Sequence, residues 1–436
     1  MKPLRIALLG IGTVGGGTFE VLARNAHEIT RRAGRPIEVA VVAARNEAKA
    51  RRIVPPHVPV TSDFEAVVRD PNVDVVVEVM GGYEPAKRLI LAAIAQGKHI
   101  VTANKALLAL HGDEIFAAAR AQQVIVAFEA AVAGGIPIIK ALREGLVANR
   151  IEWIAGIING TTNFILSEMR SRGLPFADVL RAAQEKGYAE ADPTFDIEGI
   201  DAGHKLSILA SLAFGIPLSF DRAHVEGITR VEAQDIRYAE EMGYRIKLLG
   251  VARRRAEGIE LRVHPTLIPS RRLIANVEGV MNAVLVKGDA VGATLYYGAG
   301  AGAYPTASAV IADLVDVARL IDADPAHRVP YLAYQHDRLG TEPVLPIEAV
   351  ESSYYLRLRV DDRPGVLADI TRVLADNEIS IDAMLQKEPA EGEAQTDIIL
   401  LTHETIEQRV RDAIARIEAQ PSTRGPIVML RLENLA

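Results

Sequence analysis

Short apolar runs recur through the first 135 residues, at 4–9, 37–44, 73–79, 99–101 and 124–128. Between them lie alanine-rich stretches with helical spacing, notably 86–96 and 113–122. A strand that is apolar on every residue is buried on both faces, so this alternation predicts a parallel sheet covered by helices. Residues 1–135 therefore read as a doubly wound α/β domain of the Rossmann type.

From residue 136 the pattern changes. Helical spacing at 164–172, 176–186, 201–214 and 235–249 mixes with strand-like runs near 259–268, 280–287 and 293–297. That predicts an α+β domain over 136–304. Pro305 precedes a strong helical pattern over 306–320, which is expected to return, with residues to about 338, to the first domain. Gly340, Pro343 and Pro346 interrupt all periodicity and mark a linker over 339–351. Residues 352–436 then read strand, helix, strand, strand, helix, strand. This βαββαβ order is ferredoxin-like. Its first helix aligns Val366, Ile370, Val373 and Leu374 on one stripe, with Pro364 near the first helical position.

A length of 436 residues accommodates three such domains. A net formal charge of −7 argues against a general polyanion binder. No apolar stretch approaches the roughly 18–20 residues of a spanning helix. The N-terminal segment to Gly17 has only Lys2 and Arg5 as positive charge and runs into glycines, so it reads as a strand rather than a leader. A cytoplasmic protein is expected. There are 0 cysteines, which excludes disulfides, thiolate metal sites and a thiol nucleophile. The 10 histidines are scattered without metal-ligand spacing, so a catalytic transition metal is not expected.

Gly10, Gly12 and Gly15 form a GxGxxG between a predicted strand and a helix. The glycines permit a tight turn and close approach of backbone to a pyrophosphate, which the helix N-terminus attracts. Dinucleotide binding is the main reading, with a methyltransferase-type nucleotide site as the alternative. The second strand ends in Ala44-Arg45 rather than the acid that bonds an NAD ribose. Arg45 suits a 2′-phosphate and so favours NADP over NAD, although a solvated loop arginine would look the same. Lys105 follows a short strand whose carboxyl end should face the cofactor cleft; a surface lysine is the plain alternative.

Residues 187–205 are dense in carboxylates, with Glu190, Asp192, Asp196, Glu198 and Asp201 ahead of His204-Lys205. Asp201 and Lys205 share a helical face, and Ile208 and Leu209 continue it. The bland reading is an exposed ion pair. The functional one is a half-buried lysine able to give a proton to a carbonyl oxygen. Glycine-rich turns at 156–163 and 298–302 read as caps ahead of helices.

Taken together, Gly10–Gly15, Thr102-Ala-Asn-Lys105, 129–137, Gly160-Thr-Thr-Asn163, 187–193 with Asp196, and Asp201-Ala-Gly-His-Lys205 resemble the homoserine dehydrogenase family. The stretch 362–370, which opens Asp-Arg-Pro-Gly, resembles the start of an ACT regulatory domain. The resemblance implies NAD(P)H-dependent reduction of L-aspartate 4-semialdehyde to L-homoserine, on the route to threonine and methionine. It implies that Lys205 donates the proton and that Lys105 sits near nicotinamide and substrate. Glu190, Asp196 and Asp201 would line the substrate site. Thr13, Val14, Arg45, Lys105 and Gly302 would contact the cofactor beside the fingerprint glycines. Glu129, Val132, Gly134 and Ile136 would form a monovalent-cation site, commonly for sodium. A homodimer or homotetramer is implied, with threonine as the expected effector of the ACT domain; a domain that only dimerises is the alternative. With the fingerprint starting at Gly10, no fused kinase is expected ahead of it. A non-catalytic sensor of nucleotide and amino acid is the competing function, and an oxidoreductase for another small aldehyde is a third.

Overall fold

The computed structural model describes residues 2–388 and 392–436. The chain forms two compact units that interleave along the sequence. One holds the residues up to Gly160 with Asp201–Ala223 and Val280–Glu342; the other holds Thr161–Ile200, His224–Gly279 and Pro343–Ala436.

The first unit is built on a six-stranded parallel sheet. Its order is Val60–Thr61, Ile37–Ala43, Leu4–Leu9, Val75–Glu78, His99–Thr102 and Val126–Ala127. The order reverses direction beside Leu4–Leu9, which makes the carboxyl end of that strand the topological switch point where such sheets bind ligands. The helix Ala303–Leu320 returns to this sheet as expected, and its Ala307, Val310, Leu314 and Val317 share one core with Ile6, Leu8, Val21 and Val75. Pro305 lies in its first turn rather than ahead of it, where a missing N–H costs nothing. Three antiparallel strands, Ile151–Ile157, Met281–Gly288 and Gly292–Ala299, complete the unit.

The second unit joins a hairpin, Tyr244–Arg254 with Ile259–Pro269, to the C-terminal βαββαβ module. Val428–Leu432 pairs in parallel with Ile259–Pro269 through Thr266↔Arg431 and Leu267↔Leu432. On its other edge it meets Glu351–Asp361, followed by Gln395–Thr402 and Ile381–Gln386. The helices Val366–Asp376 and Glu407–Glu418 cover this sheet, and the stripe Val366, Ile370, Val373 and Leu374 is buried as its spacing required.

Several expectations need correction. The helical pattern at 235–249 is a helix only over Ala233–Glu241. Gly243, at φ +84°, turns the chain, and 244–254 form a strand because hydrogen bonding to Ile259–Pro269 outweighs the local helical spacing. The helix expected at 113–122 starts eight residues earlier, at Lys105, because Asn104 accepts the Leu107 N–H as its cap. Pro364 lies ahead of its helix, which starts at Val366 behind Gly365 in the left-handed region. The segment read as a linker is partly tied down: Ile259 N–H donates to the Pro343 carbonyl at 2.8 Å and Leu345 N–H to the Ile259 carbonyl at 2.9 Å.

Within the fingerprint, two glycines serve different ends. A Cβ on Gly15 would lie 2.2 Å from the Gly10 carbonyl oxygen, so helix and strand touch only because it is glycine. At Gly12 a Cβ would meet nothing within 4 Å. Gly15→Ala is therefore expected to destabilise the protein by about 1–3 kcal/mol, the usual cost of overpacking. Gly12→Ala should leave the melting temperature of the ligand-free protein unchanged. Calorimetry of the two variants checks the contrast.

Candidate active site

The strand Val75–Glu78 is fully buried, and it ends in a carboxylate that no water reaches. Glu78 accepts the Thr102 hydroxyl at 2.8 Å and the N–H groups of Met80 at 2.8 Å and Gly81 at 3.2 Å. Burial pushes its carboxyl above the usual range, against these hydrogen bonds. Thr102 in turn accepts the Asn104 N–H, and the Asn104 amide donates to the Gly82 carbonyl at 2.7 Å. This network fixes the turn at 80–82 and sets Lys105 as the first residue of its helix. A glutamate closing an all-apolar strand was the available signal for it, and the motif reading passed it over.

Lys105 then reaches the first turn of the helix Ile200–Phe214. Its Nζ lies 3.3 Å from Asp201 Oδ1. Lys205 Nζ donates to Asp201 Oδ2 at 2.6 Å and to the Ile158 carbonyl at 2.8 Å. The Asn159 amide also donates to Asp201 Oδ2, at 2.8 Å. The Asp201 side chain is 3% exposed and that of Lys205 11%, whereas Lys105 is 36% exposed. The helix is buried on nearly every residue from Asp201 onward, so the ion pair is an interior one rather than the exposed pair that spacing alone allows.

Burial pushes the Asp201 carboxyl up, but the charges of Lys205 and Lys105 and the bonds from Lys205 and Asn159 hold it at about 2. His204 beside it is held near 4, first by burial and then by the two lysine charges, and its ring meets Phe220 edge-on at 4.1 Å. Two lysine ammonium groups thus converge on one ionised carboxylate. Such a centre stabilises negative charge developing on an oxygen and supplies a proton to it.

At the same carboxyl edge of the sheet, after the strand Leu4–Leu9, the helix Thr13–Arg24 opens on Gly12 with no side-chain cap. Its first N–H groups are thereby open to an anion, and Thr13 and Gly12 are exposed while Val14 is half-buried and Gly15 buried. Gly17 brings in a second segment that the motif reading did not connect: a Cβ there would lie 2.5 Å from the Ala303 carbonyl oxygen. That close approach places Gly302, at φ +132°, beside the fingerprint helix, and Tyr304 donates to Glu20 at 2.8 Å. Arg45 is exposed just after the strand Ile37–Ala43. The residues present thus fit a dinucleotide.

The turn at 129–136 is buried apart from Gly135. Ala133 and Gly134 both lie in the left-handed region, and a Cβ on Gly134 would sit 2.4 Å from the Gly300 carbonyl oxygen. The Glu129 carboxylate accepts the N–H groups of Ile139 and Lys140, each at 2.9 Å, and its own N–H donates to Asp313 at 2.8 Å. Val132, Gly134 and Ile136 offer only main-chain oxygens. An oxygen-only donor set fits a hard monovalent cation better than a thiophilic metal.

Glu190 and Asp196 belong to the second unit. Glu190 is exposed, and its carbonyl accepts the Gln184 amide at 3.1 Å. Asp196 is half-buried in the short helix Thr194–Ile197. Their segment is fastened to the helix Gly160–Arg172 by Thr161, which donates to the Tyr188 carbonyl at 2.7 Å, and by Tyr188 packed edge-on against Phe164.

A nucleotide-binding sheet whose carboxyl edge carries a lysine–carboxylate–lysine centre defines an NAD(P)-dependent oxidoreductase. A family profile described as the NAD-binding domain of homoserine dehydrogenase matches residues 10–129, the homoserine dehydrogenase profile matches 137–315, and an ACT domain profile matches 354–422. The homoserine dehydrogenase of Pseudomonas aeruginosa is 62% identical over 435 residues and that of Neisseria gonorrhoeae 59%, each alignment covering 100% of both chains. The crystal structure of a homoserine dehydrogenase from Thiobacillus denitrificans is similar with a TM-score of 0.96 at 67% identity, covering 100% of this chain and 99% of that one. The chain belongs to the homoserine dehydrogenase family and carries an ACT domain; it is an oxidoreductase of amino-acid biosynthesis. Among the described residues no helix is long and apolar enough to cross a membrane.

Asp201→Asn is expected to lower stability at pH 7 by roughly 2 kcal/mol, since it removes a carboxylate whose ionised form the fold favours. The sign follows from the depressed pKa: the contribution is full above pH about 4 and is lost as pH falls through about 2. Denaturant titrations of both proteins should therefore converge on acidification from pH 4.

Proposed function

We propose that the chain interconverts L-aspartate 4-semialdehyde and L-homoserine with NADP(H), Lys205 giving the proton to the aldehyde oxygen. The carrying observation is the buried Asp201 held between Lys105 and Lys205. When bound, the nicotinamide supplies the hydride. Lys205, fixed by Asp201 and the Ile158 carbonyl, holds its proton in line with the oxygen that becomes negative. Lys105, the more exposed ammonium, stabilises the same developing charge from the cofactor side. Asp201 holds both ammonium groups in place. Glu190 and Asp196 clamp the substrate's ammonium group, which accounts for the crowding of carboxylates in 187–201. The first N–H groups of the helix after Gly12 hold the pyrophosphate, with Gly10, Thr13, Val14, Gly15 and Gly302 around the dinucleotide.

Arg45 pairs with the 2′-phosphate, and the turn of Glu129, Val132, Gly134 and Ile136 takes a monovalent cation, sodium in this reading. Residues 1–135 with about 305–338 form the cofactor domain, 136–304 the substrate and dimerisation domain, and 352–436 the ACT module, in a cytoplasmic homodimer or homotetramer. The ACT module places the enzyme under feedback control by threonine.

Initial rates of NADPH oxidation with aspartate semialdehyde test these assignments. Lys205→Ala should lower kcat by about 10²–10⁴-fold, the range for a lost general acid, with NADPH affinity retained. Arg45→Glu should move the NADP-to-NAD preference toward NAD; an unchanged ratio removes Arg45 from cofactor selection. Threonine should depress the wild-type rate, and an unaffected rate would leave the ACT module as a dimerising element.

A further inference from the structure

Arg431 lies near the C-terminus in the strand Val428–Leu432, and it is 0% exposed. Two carboxylates clamp its guanidinium from two sides. Glu407 accepts Nε at 2.6 Å and Nη2 at 2.7 Å; Glu226 accepts Nη1 at 2.8 Å and Nη2 at 3.1 Å. His224 Nε2 lies 3.4 Å from Nη2. A planar fork held bidentately by two carboxylates has one geometry, unlike a mobile surface pair.

The two acids belong to different parts of the second unit. Glu407, itself 0% exposed, begins the C-terminal helix Glu407–Glu418 and is held also by Arg411. Glu226 follows the strand His224–Val225, and its N–H donates to the Val263 carbonyl at 2.8 Å. The next residue has no slack. A Cβ on Gly227 would lie 2.2 Å from the Ile197 carbonyl oxygen and 2.5 Å from Glu198 Cα. Ile228 N–H donates to the Ile197 carbonyl at 2.8 Å, and a Cβ on Gly199 would stand 3.2 Å from the Glu226 carbonyl oxygen. A shift of Glu226 is therefore a shift of residues 197–199. Ile197 closes the short helix that carries Asp196.

We propose that Arg431 is a positioning residue for substrate binding: from the C-terminal module it fixes Glu226, and through the Gly227–Ile197 contact it fixes the turn bearing Asp196. This rests on the reading of Asp196 as a substrate ligand. Arg431 touches neither substrate nor cofactor in this role. The ACT module is then a structural part of the substrate site, whatever effector it binds.

Steady-state kinetics on the full-length enzyme, with homoserine and NADP, test the proposal, beside NADPH affinity by fluorescence and thermal melts. Asp196→Asn and Arg431→Met should each raise the homoserine KM by about tenfold or more, with NADPH affinity changed less than about twofold. Arg431→Lys, able to pair with the same acids, should recover part of the loss. Glu226→Gln, which keeps Arg431 paired with Glu407, should raise KM in the same direction and carries the test if Arg431→Met does not fold. A lowered melting temperature with an unchanged KM in Arg431→Met, or in Glu226→Gln when that variant carries the test, would show a purely structural role and overturn the proposal. If Asp196→Asn raises KM and neither Arg431→Met nor Glu226→Gln does, the proposal alone fails. If Asp196→Asn leaves KM unchanged, the substrate reading of Asp196 fails and takes the proposal with it.

Discussion

The helix Ile200–Phe214 is buried on almost every residue, and its first turn carries an ionised carboxylate into that interior. An unpaired charge there would cost several kcal/mol. Asp201 is tolerable only because Lys105, Lys205 and Asn159 converge on it, and each of those comes from a different part of the first unit. The sheet must deliver Lys105 at the start of its helix, and the strand Ile151–Ile157 must deliver the Ile158 carbonyl and Asn159. The lysine–carboxylate–lysine cluster is thus also a structural requirement of the fold. Removing Asp201 would take from both lysines the carboxylate they share, and Lys205 is largely buried.

Glycines decide how closely the surrounding elements approach. Gly15 lets the fingerprint helix touch the end of the first strand, Gly17 lets it touch Ala303, and Gly134 lets the turn at 129–136 touch Gly300. These contacts draw the sheet's switch point, the helix Ala303–Leu320 and the turn at 129–136 together. The paired lysines and the uncapped helix start both favour anionic or electron-rich partners, in keeping with a dinucleotide and a carbonyl oxygen.

The second unit solves a different problem by similar means. Its sheet runs without a break from the hairpin into the C-terminal module, and the junction carries buried ion pairs beside the apolar pair Leu267 and Leu432. Arg262 is clamped between Glu260 and Glu433 much as Arg431 is between Glu226 and Glu407. Charge pairs of this kind add little net stability over an apolar core, but they fix a register that apolar packing would leave loose.

Much of this was legible before any coordinates. Near-continuous apolar runs announced the parallel sheet, because strands covered on both faces have few polar positions. The GxGxxG marked the turn at the switch point, where Gly10 and Gly15 meet backbone that a side chain would strike, and the βαββαβ order with its Val366–Ile370–Val373–Leu374 stripe announced the C-terminal module. The spacing of Asp201 and Lys205 put them on one face, and family resemblance gave them roles. Local pattern did not decide whether that face was buried, that Asn159 and Lys105 share its carboxylate, or that 244–254 is a strand. Nor did it show that Glu78 shapes the turn ahead of Lys105, or that Arg431 reaches across to Glu226. The side-chain contacts among these join residues from 24 apart, for Glu78 and Thr102, to 205 apart, for Arg431 and Glu226. Periodicity reports only what a residue's immediate neighbours require; desolvation, charge pairing and strand partnership are settled when distant segments meet.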